Sequence, residues 1–282
     1  ISGAATDISM AVPQYMIDNV IEASHNYPIT GRRDAIIFIS PRYQDVVQQT
    51  GREAFNIVNS FLPALNRSSS YAVMDSGWKY MLDKYNNIYR WVPLNADIAG
   101  LCAQTDLTNE PWYSPAGFTR GKLKNVLKLA WSPNRSERDE LYSNGVNPVV
   151  SFTGEGPCLF GDKTLLSKPS AFDRINVRRL FIVLEKAISK SAVYSLFEIN
   201  DEFTRAQFVA MVEPYLRTVK SKKGIYDFKV VCDSTNNTPD IIDRSAFQGD
   251  IYIKPTKSIN FIQLNFVAVR NGVDFNTVVG QF

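Results

Sequence analysis

Ile175-Asn-Val-Arg-Arg-Leu-Phe-Ile-Val-Leu-Glu-Lys-Ala-Ile-Ser-Lys190 is the most regular stretch of the chain. Val177, Leu180, Leu184 and Ala187/Ile188 recur at helical spacing, which predicts a helix over Ile175–Leu196 with one apolar face. Arg178, Arg179, Lys186 and Lys190 fall largely off that stripe. Just upstream, Ser167-Lys-Pro-Ser170 breaks the pattern and marks a boundary within Leu166–Ala171. Downstream, Asn200-Asp-Glu opens a second helix with Phe208, Val212, Leu216 and Val219 on one face. Pro214 should kink that helix, and Lys220-Ser-Lys-Lys-Gly224 brings the cations and glycine that suit a helix C-terminus.

Strands then take over. Tyr226–Val231 and Asp250–Lys254 read as two, and Asn260–Arg270 as a third, with Ile262, Leu264, Phe266 and Ala268 alternating with Gln263, Asn265 and Val267. After Asn271-Gly272, ten β-prone and largely apolar residues remain beyond the last clear element. Upstream of the boundary, strands alternate with helices. Ala35–Ile39, Tyr71–Met74, Val149–Phe152 and Leu159-Phe160 read as strands. Arg52–Leu65, a helix capped by Asn95 that carries Ile98, Leu101 and Cys102, and Glu137–Tyr142 closed by Asn144-Gly145 read as helices. The fold class is therefore α/β (α+β): a strand–helix layer over 26–168, then two helices on an antiparallel sheet over 169–270. A connecting segment (1–25) precedes these parts and a C-terminal arm (271–282) follows them.

Composition narrows the classes of function. Of 282 residues, 45% are hydrophobic and 21% charged, which is the balance of a globular chain. No apolar run approaches the roughly 18 residues of a membrane span, so no membrane insertion is expected. The net charge of +3 falls entirely in residues 170–282; it is too weak for nucleic-acid binding but suits a mildly acidic protein surface. Cys102, Cys158 and Cys232 lie far apart, which argues for reduced, packed thiols in a reducing cytoplasm and against disulfides or zinc. The chain begins at Ile1, as a piece of something longer would.

The search for chemistry yields little. His25, the one histidine, sits in a loose segment and lacks the packed cleft a general base needs. Gly154-Glu-Gly-Pro157 superficially resembles a phosphate loop, but Pro157 and a following strand make it a turn between strands. Asp201/Glu202 and Asp139/Glu140 read as acidic helix starts. No catalytic, cofactor-binding or metal-binding residue is expected; the enzyme alternative is a hydrolase using Ser68–Ser70 or His25.

The motifs together point elsewhere. Pro111-Trp-Tyr-Ser-Pro-Ala-Gly117 with Arg120-Gly121, after Val92-Pro93 and Ala99-Gly100 and before Asn144-Gly-Val-Asn-Pro148, resembles contractile tail sheath proteins of T4-like phages. Arg174-Ile-Asn-Val-Arg-Arg179, Phe197-Glu-Ile-Asn200 with Asp201-Glu202, and Asn237-Thr-Pro239 with Asp243 extend the likeness, in order, to the C-terminus. The resemblance implies a mechanical subunit without a catalytic site. Such subunits form stacked hexameric rings around a tail tube, join baseplate and tail terminator proteins, and contract to drive the tube through a host envelope. It further implies a virion location after assembly in the host cytoplasm, and a C-terminal domain lying against the tube. Extended arms in that family add strands to neighbouring subunits.

The residues suit those expectations. Val273, Phe275, Thr277, Val278, Val279 and Phe282 are the arm candidates, because a lone strand leaves its backbone groups unpaired until it joins another sheet. The other reading of the same residues is a fourth strand folded back on the chain's own sheet. Arg178, Arg179, Lys220, Lys222 and Lys223 are candidates for meeting an acidic tube, against an ordinary solvated helix end. Trp112 and Tyr113 between prolines are assigned to core packing. Alternative identities are the sheath of a related contractile injection or secretion system, and a tail tube or baseplate component.

Overall fold

In the computed structural model, which describes residues 10–22 and 31–260, the apolar run at Ala35–Ile39 becomes strand β1 (Ile37–Ile39). It pairs in parallel with β2 (Ala72–Asp75). Parallel neighbours need a crossover, and here it is helical: Glu53–Asn56, a π-helical turn Ile57–Phe61 and Leu62–Leu65 run on without a break. Asn66 stops it in the left-handed conformation (φ 42°). Strands β3 (Trp78–Asp83) and β4 (Ile88–Pro93) then form a hairpin whose register runs from Trp78↔Pro93 to Asp83↔Ile88. The sequence reading contains no such hairpin, because Lys79, Asp83 and Arg90 interrupt any apolar alternation. Its turn chemistry is nonetheless plain: Asp83 accepts from the backbone N–H of Tyr85 and Asn86, and Asn87 is left-handed.

Helix α1 (Asn95–Thr108) follows, with Ile98, Leu101, Cys102 and Thr105 buried. Its N-cap is Leu94, not Asn95, which is the first helical residue: its backbone N–H donates to Ser40 Oγ and its side-chain Oδ1 accepts the Ala96 N–H, each at 2.9 Å. Strand β5 (Lys128–Leu129) joins the far edge of β3. Helix α2 (Arg135–Ser143) begins with a reciprocal capping box between Asn134 and Glu137 and ends before a left-handed Gly145. Asp139 and Glu140 therefore lie within the helix rather than at its start. Strand β6 (Val146–Asn147) completes a parallel sheet in the order β1-β2-β6. Strands β7 (Val149–Phe152) and β8 (Gly156–Leu159) are an antiparallel hairpin turning over residues 153–155, so Gly154 and Glu155 lie in the turn while Gly156 and Pro157 already belong to β8.

Beyond the boundary lie α3 (Ile175–Ala192) and α4 (Glu202–Ser221). Asp201 caps α4 by accepting the Thr204 N–H at 2.7 Å, and Pro214 lies inside the helix. Strands β9 (Ile225–Val231) and β10 (Asp250–Pro255) pair antiparallel and pack against both helices. The expected third strand falls outside the described residues save for Asn260, as do His25 and the whole C-terminal arm.

The core has three parts. Strand β2 is buried on both faces, as a central parallel strand must be. Ala72 and Met74 face a cluster with Ile57, Phe61, Leu65, Leu141 and Val146, whereas Val73 faces Leu94, Ile98, Leu101, Leu159 and Ile175. Trp112 joins Leu180, Leu184, Phe208, Val212, Leu216 and Val219 in the third. Cys102, Cys158 and Cys232 are buried free thiols within these layers.

At the end of β2, the buried Asp75 carboxylate accepts from Ser40 Oγ at 2.6 Å and the Gly77 N–H at 2.9 Å. Burial outweighs both hydrogen bonds and, with the nearby Asp97 charge, pushes its pKa up to about 7. A raised carboxylate pKa favours folding while the group keeps its proton. Stability should therefore fall as pH rises from about 4 through 7, by about 1–3 kcal/mol from this group between pH 5 and 8. Urea midpoints of the protein and of Asp75→Asn at the two pH values check this: the variant should show the smaller fall. Equal falls would assign the dependence to other groups.

Candidate functional site

Helix α3 is where the two parts of the chain meet, and the basic residues of its first turns do not reach solvent, whereas Lys186 and Lys190 farther along are exposed. Arg178 and Arg179, expected from the sequence among the outward-facing cations, are both buried. The Arg178 guanidinium lies 4.1 Å from the Tyr71 ring centroid and 4.0 Å from that of Phe172, and donates to Ser70 Oγ at 2.6 Å. Arg179 pairs with Asp106 and donates to the Cys102 carbonyl at 3.1 Å. Arginine suits both places, because its planar group stacks on rings and its fork of donors reaches several acceptors. The apolar stripe predicted the helix but not that the central layer covers a second side of its first turns. The Ser68–Ser70 hydroxyls are likewise committed: Ser70 to Arg178, Ser69 to Glu22, Ser68 to Ser167.

Beside α3, Asp162 gathers hydrogen bonds from distant parts of the chain. Its Oδ1 accepts from Arg174 at 2.9 Å and from Tyr142 at 3.1 Å, and its Oδ2 accepts from Ser114 at 3.1 Å. Ser258 also donates to it. Burial pushes the Asp162 pKa up, but the Ser258 hydrogen bond and the Arg174 charge outweigh it and hold the carboxyl below its ordinary value. Tyr142 moves the other way, its phenol raised by burial and the Asp162 charge. Asp162 was not singled out in the sequence, where Gly161-Asp-Lys163 carries no recognisable pattern.

The family-like motifs have structural work here. The Gly121 N–H donates to the Gly117 carbonyl at 2.7 Å, and a Cβ at Gly121 would stand 2.8 Å from the carbonyl oxygens of both Gly117 and Leu159. The Arg120 Nε donates to the Ser114 carbonyl at 2.7 Å, and Asn147 is bonded to Met74 and Lys163. Trp112 is buried, with its Nε1 donating to the Lys222 carbonyl at 3.0 Å.

Three surface features could take part in assembly. The end of α4 holds Lys220, Lys222 and Lys223, but Lys220 pairs with Asp227 at 2.8 Å and Lys222 with Glu110 at 2.5 Å. Among the described residues Lys223 has no carboxylate within ion-pair distance, and it sits at φ 63° before Gly224. Lys222 and Lys223 border a shallow open depression of ≈ 350 Å³ shared with Thr108, Glu110 and Tyr113. Second, the turn between α3 and α4 exposes Tyr194, Leu196, Phe197 and Ile199, with Phe197 fully exposed, and Phe203 on the first turn of α4 is exposed beside them in sequence. Sequence reading passed over this apolar patch, although such patches mark interaction surfaces. Third, the β9–β10 ribbon has two strands and hence two open edges among the described residues.

Chemistry of other kinds has little to stand on. Among the described residues no group of three or more His, Cys, Asp and Glu could hold a metal ion. No helix among them is long and apolar enough to cross a membrane.

Known proteins resemble this chain along almost its whole length. A family described as phage tail sheath protein central domain matches residues 28–165, and one described as phage tail sheath C-terminal domain matches 167–268. The tail sheath protein of Vibrio phage KVP40 is 48% identical over 293 aligned residues, covering 99% of this chain and 42% of that protein. That of Enterobacteria phage T4 is 48% identical over 257 residues, covering 88% of this chain and 39% of that protein. The chain thus spans about two fifths of the relatives' length. Among solved structures, the sheath complex of an extracellular contractile injection system in its contracted state superposes with a TM-score of 0.70 at 21% identity. It covers 85% of this chain and 64% of that one, a likeness of fold.

Proposed function

Because the chain belongs to the phage tail sheath family, with the central domain followed in order by the C-terminal domain, we propose that it is the inner portion of a contractile tail sheath subunit. In this reading the full-length protein polymerises as stacked hexameric rings around a tail tube in the virion. It meets baseplate and terminator proteins at the ends, and it shortens to drive the tube through the host envelope. The work is mechanical rather than catalytic. The observation that carries the reading is the ordered pair of family domains across 28–268, together with the near-half identity to named tail sheath proteins. The division into a connecting segment (1–25), a core domain (26–168), a tube-proximal domain (169–270) and an arm (271–282) is part of the same proposal. Electron microscopy of the full-length protein, concentrated alone, tests it: hollow tubes are expected, and folded but permanently dispersed subunits would overturn it.

Lys222 and Lys223 are the proposed tube-facing cations, with Lys220 beside them. Their exposure supports this role; Arg178 and Arg179, being buried, are withdrawn from it. Exposed ion pairs contribute about 0.2–1 kcal/mol each and are screened by salt, which suits a contact that must release. A Lys222→Glu/Lys223→Glu protein should co-assemble with tubes less well at low salt, and the deficit should shrink at high salt. Co-sedimentation across a salt series reads this, and a salt-independent result would discard the contact.

A further inference from the structure

Residues 255–260 cross from the C-terminal ribbon to the central layer along a line of polar anchors. Pro255 still pairs with Ile225 at the end of β10. The Thr256 N–H donates to the Gly224 carbonyl at 3.2 Å, and its Oγ1 donates to the Lys223 carbonyl at 2.6 Å. Asn176, on the first turn of α3, donates to the Thr256 carbonyl at 3.4 Å. Lys257 comes within 4.0 Å of Asp173. Ser258 then donates to Asp162 Oδ2, and Asn260 donates to Tyr142 and, at 3.3 Å, to Asp162 Oδ1. Between them the Ile259 side chain stays exposed, so polar bonding rather than apolar burial holds this stretch.

The geometry points to Asp162 as the positioning residue of the C-terminal segment: with Arg174 and Tyr142 it clamps the stretch 256–260, so that Asn260, the last described residue, is held at a fixed place on the central layer. This rests on the reading of Val273–Phe282 as an arm that joins a neighbouring subunit. An arm under tension pulls on its root. A root held only by the last pair of β10 would peel, each bond breaking in turn. Anchors spread over Thr256, Ser258 and Asn260 carry that pull together, and two of them end on a buried carboxylate that Arg174 already fixes. Hydrogen bonds to a charged acceptor are about twice as strong as neutral ones, which makes Asp162 the firm end of the clamp.

The test uses the full-length protein carrying Ser258→Ala and Asn260→Ala. These changes remove the clamp's exit-side donors and leave Asp162, Arg174 and Tyr142 in place, so the subunit should keep its thermal midpoint. Trypsin acting on dispersed subunits reports the root, because Lys257 precedes Ser258 whereas Lys254 is shielded by Pro255. Cleavage after Lys257 should quicken roughly tenfold or more, and tube formation should decline. An unchanged cleavage rate overturns the clamp, and so do unchanged tubes despite faster cleavage. A parallel protein lacking Val273–Phe282 keeps the two ideas apart. Normal tubes from that truncation overturn the arm reading and the purpose of the clamp with it. Unchanged cleavage beside a tube-deficient truncation overturns the clamp alone.

Discussion

Removal of Val273–Phe282 from the full-length protein should leave a folded subunit that stays dispersed at concentrations where the intact protein forms hollow tubes. Among the described residues the three core clusters are built entirely from positions up to 253, so the fold of the subunit has a core of its own ahead of the arm. What the truncation takes is a β-prone stretch with Phe275, Thr277 and Val279 on one side and Val278 on the other. A two-stranded ribbon such as β9–β10 is marginal alone and, among the described residues, offers open edges to an added strand. Each backbone hydrogen bond so formed contributes about 0.5–1.5 kcal/mol, so a strand of several pairs is worth several kcal/mol per subunit. Repeated across a lattice, that decides between tubes and monomers. Negative-stain images of both proteins at matched concentration check it, and tubes of normal abundance from the truncation would remove the arm from the mechanism.

Asp162→Ala should destabilise the subunit by about 3–5 kcal/mol, because it takes the nearer and more buried carboxylate from Arg174 and leaves only Asp173, at 3.7 Å, to face that charge. Ser114, Tyr142 and Ser258 lose an acceptor at the same time. The melting temperature should drop by roughly 10 °C. The pH dependence has the opposite sense to that of Asp75. A carboxylate whose pKa is lowered by folding stabilises fully above its unfolded value near 4, and the benefit is lost as pH falls toward the depressed one. The wild-type advantage over the variant should therefore be full at neutral pH and shrink in acid. A loss below about 1 kcal/mol at pH 7 would mean that water replaces the carboxylate with little cost.

The strongest local patterns in the sequence were sound guides. The stripe of α3, the helix start at Asn200-Asp-Glu202, the Asn144-Gly145 stop of α2 and the hairpin turn at Gly154 all rest on contacts within a few residues, and short-range spacing encodes those. Two errors have one physical source. Arg178 and Arg179 lie off the apolar stripe, yet Tyr71 and Phe172 close over the first and Cys102 and Asp106 meet the second. Periodicity describes one face of a helix and is silent about a second element that covers another. Gly224 shows the same limit. It looks like the left-handed stop of α4, but Lys223 takes that conformation. Gly224 is instead a close approach, where a Cβ would lie 2.8 Å from Val219 and 3.0 Å from the Trp112 ring. The β3–β4 hairpin escaped because consecutive apolar residues, Tyr80-Met-Leu82 in one strand and Trp91-Val92 in the other, occupy both faces and leave no clean alternation. The Asp162 cluster joins residues up to 118 positions apart, and no local signal carries such a separation.

Helix α3 belongs to two cores at once. Ile175, on its first turn, packs with Val73, Leu94 and Leu159, while Leu180 and Leu184 pack with α4 and the ribbon. Eighteen residues at 1.5 Å each make it a rod about 27 Å long that passes through both halves of the chain. A rod keyed into two blocks transmits torque between them, since twisting one against the other would strain every hydrogen bond along its axis. Whatever turns the central layer turns the ribbon and its open edges through the same angle.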